Sequence, residues 1–142
     1  MDINIVNRLL QQSLKFAYVK NSNTIAATIQ IDNNVIYTEF YVGSSSIQIS
    51  MDGGDTRWND PELEHFIDQY NELFAPKTGF KAFQRYDCGK EDPQLMFDCV
   101  LTRKGSDEYS AANQIADAML KLKHSGTGLE YLSTFLRYIR GN

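Results

Sequence analysis

Two cysteines, two histidines, three prolines and one tryptophan are all that 142 residues carry of the types that most often mark reactive sites or interrupt a fold. So few cysteines exclude a disulfide-stapled scaffold, and no CxxC pair suggests a structural metal. GxSxG, HExxH and phosphate-loop patterns are absent too, so an enzyme would need residues that only folding brings together. His65 is flanked by acids in a predicted helix and His124 lies at a helix end, where an imidazole meets the helix dipole; both are expected to be non-catalytic. No run approaches the ~18 apolar residues of a membrane span. The opening MDINIVNRLLQQSLKF lacks the cationic leader and continuous apolar stretch of a signal peptide, so a cytoplasmic protein with no membrane contact is expected.

Cationic charge is also scarce where it would matter for nucleic acid. Met1 to Ala75 holds ten acidic and four basic residues, and Pro76 to Asn142 eight acidic and ten basic, for a net charge of −4. Asp52, Asp55, Asp60, Glu62, Glu64, Asp68 and Glu72 crowd one segment, relieved only by Arg57. Neutralising phosphates takes lysine and arginine, so direct nucleic-acid binding by this half is not expected. The bland reading of the acidic run is a solvated helix face and its preceding loop; the sharper one is an acidic patch that mimics nucleic acid. Asp52, Asp55, Asn59 and Asp60 could offer oxygens to a cation but lack the alternating ligands of a calcium loop, so turn formation is expected and no metal or cofactor.

What the chain does have is alternation. Charged residues make up 23% and hydrophobic ones 42%, a globular balance, and the length fits a single domain over residues 1–142. Ile3, Val6, Leu10, Leu14 and Ala17 predict an amphipathic helix from Ile3 to about Tyr18. Thr24–Ile31, Val35–Val42 and a third run through Ile47, Ile49 and Met51 predict an antiparallel meander. Asn33-Asn34 is read as the hairpin turn, pairing Ile31 with Ile36, Ile29 with Thr38, Ala27 with Phe40 and Ile25 with Val42. Ile25, Ile29, Ile36, Phe40, Ile47 and Ile49 then face the core. Val35, Tyr37, Glu39 and Tyr41 face away among Thr, Gln and Ser, with no cation from the three strands.

Asp52-Gly53-Gly54-Asp55 is expected to break the sheet, and Asp60-Pro61 to start a helix that ends at Pro76 and Gly79. Phe80–Asp87 and Leu95–Thr102 form a second hairpin, with Tyr86 against Phe97, Ala82 against Leu101 and Arg85 against Asp98. Such pairing holds Cys88 and Cys99 rungs apart, leaving two free, buried thiols. A helix from Ser106–Glu108 to Lys123 follows, then a last helix opened by a Thr127 and Glu130 capping box. The fold class is therefore α+β: helix, three-stranded meander, helix, hairpin and two C-terminal helices, with the helices on one face of the sheet.

Tyrosines among small polar residues suit protein contact, because they bring large area at small entropic cost. Val35, Tyr37, Tyr41 and Trp58 are the candidate protein-binding residues, although Trp58 is expected first as a lid over one end of the core. The order of elements, the small acidic domain and the missing catalytic motifs resemble the type III secretion chaperone family. That resemblance implies a non-enzymatic, homodimeric module holding an extended segment of another protein; the two C-terminal helices depart from it. A small phage or mobile-element inhibitor of anti-CRISPR type, using the acidic patch, is the alternative, and an enzyme with a site not visible in sequence the third.

Overall fold

A computed structural model describes residues 1–14, 16–86 and 89–141. The elements run α1 (Ile3–Leu10), β1 (Tyr18–Asn21), β2 (Thr24–Ile31), β3 (Asn34–Val42), β4 (Ser46–Asp55), α2 (Pro61–Leu73), α3 (Ala75–Thr78), β5 (Lys81–Arg85), β6 (Gln94–Thr102), α4 (Glu108–Lys123) and α5 (Thr127–Arg140). All strands join one antiparallel sheet in the order β1-β2-β3-β4-β6-β5, so meander and hairpin fuse through β4 and β6. The architecture is the expected α+β arrangement, with α1, α2, α4 and α5 packed on one face.

The packed face follows from the alternation. Ile25, Phe40, Ile47, Ile49, Met51, Leu95 and Phe97 are buried beneath Val6, Leu10, Tyr70, Ile115, Leu132, Phe135 and Leu136 of the helices. Ile29, expected in the core, is only partly buried. Tyr70 is sealed in with its hydroxyl 2.7 Å from that of Thr78, which answers the polar group that burial would otherwise strand.

Five expectations are corrected. The first helix stops at Leu10 rather than Tyr18. Its last turn closes on the Leu10 carbonyl, Gln11 Nε2 donates to the Ala17 carbonyl at 3.0 Å, and Tyr18–Asn21 becomes a strand pairing with β2. Periodicity through Leu14 and Ala17 favoured more helix, but as a strand Tyr18–Asn21 satisfies the backbone groups along the outer edge of β2.

In the β2–β3 hairpin the turn is Asp32-Asn33, with Asp32 at φ 57, so Ile29 opposes Ile36 and Ile25 opposes Phe40. The register is two residues from the expected one. Because side chains alternate with period two, every residue keeps its predicted face.

The segment Asp52–Asp55 does not break the sheet. It continues β4 through a bulge, where Asp52 opposes Met96 and Gly54 opposes Leu95. Asp52 Oδ1 accepts from the Gly54 amide at 2.9 Å, and Gly54 takes φ 113, which only glycine adopts readily.

In the second hairpin Ala82 opposes Phe97, Gln84 opposes Leu95 and Lys81 opposes Asp98, four residues from the expected register. Gly79 turns the chain at φ 84, and Cys99 lies beyond the end of β5 instead of beside Phe83 or Gln84. Cys99 is a free, buried thiol, pushed up in pKa by that burial; Cys88 lies outside the described residues. The last helix has Gly126 as its N-cap with no side-chain cap bond, so Thr127 begins the helix rather than capping it.

Candidate protein-binding face

The helices cover one side of the sheet and leave the other open. Across this open side one row of partners runs Tyr18, Ala26, Glu39, Ser50, Asp98, Lys81, and the next runs Thr28, Tyr37, Asp52, Met96, Phe83. Val35, Tyr37 and Tyr41 are 59%, 39% and 42% exposed, so the expected contact residues of β3 all reach solvent. Ala26, fully buried, lies between Tyr18 and Glu39 in its row.

Glu39 is the hub of this surface. Lys20 forms an ion pair with it, and the Tyr37 hydroxyl donates to Glu39 Oε1 at 3.0 Å. Partial desolvation works against the carboxylate, yet the hydrogen bonds from Lys20 and Tyr37 hold its pKa below the usual range. Desolvation and the bond to Glu39 push the Tyr37 phenol up, so the ring stays neutral. These contacts fix the orientation of one of the two exposed tyrosines of β3.

The expectation that the face carries no cation is overturned, because strand β1 and the joined hairpin were not counted in it. Strand alternation puts Lys20 from β1 and Lys81 and Arg85 from β5 on this side. Carboxylates match them: Lys20 pairs with Glu39, Lys81 lies opposite Asp98, and Asp52 occupies the next row. The surface is therefore near charge balance.

Trp58 is 51% exposed in the connection between β4 and α2, so it is no lid over the core. The seven acidic residues do not form one surface. Asp52 projects from the open sheet side, whereas α2, carrying Glu62, Glu64, Asp68 and Glu72, packs on the opposite side. Asp55 accepts from Gln94 Nε2 at 2.5 Å. Asp60 caps α2 by accepting from the Glu62 and Leu63 amides and also receives the Tyr138 hydroxyl. Among the described residues no group of three or more His, Cys, Asp or Glu is arranged to hold a metal ion.

The sheet's two ends differ. At the β5 end, Asn71 of α2 donates from Nδ2 to the Ala82 carbonyl and accepts the Ala82 amide at Oδ1, both at 2.8 Å. A side chain thus takes the place of a seventh strand. At the other end β1 is four residues long, with an irregular register between Val19 and Asn21. Sequence reasoning missed Tyr18 and Lys20, which belong to the face, because the helical spacing of Leu14 and Ala17 masked a Tyr-Val-Lys run suited to a strand.

No family model matches the chain, and no curated protein matches it. Among solved structures, YbjN of E. coli, described as a candidate transcription regulator, is similar, with a TM-score of 0.57 over 89% of this chain and 89% of that one at 15% identity. Identity that low shows a shared fold alone. In addition, no helix among the described residues is long and apolar enough to cross a membrane.

Proposed function

We propose that this chain is a non-enzymatic protein-binding module of the cytoplasm, chaperone-like or regulatory, whose contact surface is the open side of its sheet. The observation that carries this reading is the exposure of Tyr18, Val35, Tyr37 and Tyr41 on one uncovered sheet face. Aromatic area ringed by balanced charge fits a protein partner, since tyrosine contributes most where one end of the ring is buried and the other stays wet. The likeness to a candidate regulator supports a binding role without naming a partner. The chaperone-like form of this reading includes assembly as a homodimer.

A photo-crosslinking residue placed at Tyr41 and, separately, at Glu72 in the native cell tests the proposal. Crosslinks to a discrete partner at Tyr41, absent at Glu72 and abolished by Tyr37→Ser, are expected. Crosslinks confined to Glu72, lost on reversing Glu62 and Glu64, would move the site to the acidic helix and overturn the reading.

A further inference from the structure

Asn71 is not alone in sealing the sheet edge. On β6, Gln114 of α4 donates from Nε2 to the Thr102 carbonyl at 2.9 Å and accepts the Lys104 amide at Oε1 at 3.1 Å. Both carboxamides stand where a neighbouring strand would. Between them lies a gap, because β5 stops pairing at Lys81 opposite Asp98 and the Phe80 backbone is bonded instead to the Thr78 hydroxyl.

The orientation of the gap follows from the ladder. Arg103 donates its amide to Ser45 beyond the start of β4, so the odd residues of β6 direct their backbone toward β4 and the even residues toward the β5 side. Val100 therefore turns both its N–H and its C=O outward, and Thr102 its N–H, with no strand partner among the described residues. Beside them is an open cleft of about 430 Å³, lined by Gly79, Cys99, Gln114, Asp117, Lys104 and Lys121.

We infer that this gap is a docking slot for an extended, acidic segment of a partner protein, which would add one short strand to β6 at Val100. This rests on the reading of the chain as a protein-binding module but uses another surface. Unpaired N–H and C=O on one residue recognise backbone, so the occupant is extended. The exposed Lys104 and Lys121 against the single Asp117 give the slot an excess of positive charge, which selects carboxylates. A second copy of this chain fits poorly. Antiparallel pairing of two β6 edges about Val100 would drive Thr102 of one copy onto Lys81 of the other and Lys104 onto Phe83, where β5 already pairs.

A fluorescein-labelled hexapeptide of alternating valine and glutamate tests this by anisotropy on the intact protein, with Val100 amide exchange followed by NMR. Binding that slows exchange at Val100 and weakens about tenfold or more in the Lys104→Glu, Lys121→Glu variant is expected. N-methylation of alternate peptide amides should abolish it, and Tyr37→Ser with Tyr41→Ser should leave it unchanged. No binding at millimolar peptide, binding indifferent to both changes, or Val100 protection that grows with protein concentration alone would overturn the slot. Loss of peptide binding in the tyrosine variant would place the peptide on the open face instead.

Discussion

Asn71 grips Ala82 by both backbone groups, amide to carboxamide oxygen and carbonyl to carboxamide nitrogen, each at 2.8 Å. The helix is thereby bonded to the sheet at the point where another chain could otherwise pair.

Replacing Asn71 with alanine removes two hydrogen bonds and leaves two backbone groups facing the helix. A loss of about 1–3 kcal/mol in urea unfolding is expected. The freed edge should also raise self-association, seen as scattering that increases with concentration.

Asp60 holds the first turn of α2 and the end of α5 together through the Glu62 and Leu63 amides and the Tyr138 hydroxyl. Asp60→Ala should cost about 1–2 kcal/mol, while Asp60→Asn keeps the cap and loses less. The asparagine variant also removes a charge from the acidic segment at little structural cost, so it separates capping from any role of that charge in binding.

Burial raises the Tyr70 phenol to about 12, although its bond to Thr78 pulls the other way. Above pH 10 the unfolded chain releases this proton and the folded chain does not. Stability contributed by the neutral phenol is thus complete below pH 10 and declines, by about 1.4 kcal/mol per pH unit, until the folded group titrates near 12. Unfolding curves from pH 9 to 12 should show this decline, and Tyr70→Phe should remove its share.

A Cβ at Gly53 would lie 3.1 Å from the Leu95 carbonyl oxygen, 3.2 Å from Phe97 Cε2 and 3.5 Å from Leu136 Cδ2. Strand β6 and helix α5 close over this position, and the carbonyl cannot move without its strand. Gly53→Ala should therefore destabilise by about 1–3 kcal/mol in thermal or urea unfolding.

The readable part of this fold was the part governed by parity. Ile25, Phe40 and Ile49 alternate with polar neighbours, and that pattern assigns a face whatever the pairing. Register depended on whether Asp32 or Asn34 entered the turn, and both residue types tolerate one. Tyr37 and Tyr41 were legible as outward residues. Their surroundings were not, since Lys20 and Lys81 reach the same side only once β1 and β5 are placed. Asn71 and Gln114 could not be singled out at all, because a carboxamide that closes an edge looks like any polar helix residue until the edge is known.

The Asp32-Asn33 hairpin carries a last implication for how this chain can vary. Adding or deleting two residues at its tip either lengthens or moves the turn or re-pairs the strands by whole pleats, and in each case every isoleucine stays on the helices' side. A single-residue change that kept a two-residue turn would turn the strand inside out, exposing Ile25 and Ile29 and pushing Thr28 and Gln30 inward, so it is tolerated only where a bulge takes up the odd residue. Length variation among descendants of this protein should accordingly come in steps of two at this tip, and library selection for folded variants with random insertions there should recover even lengths over odd ones.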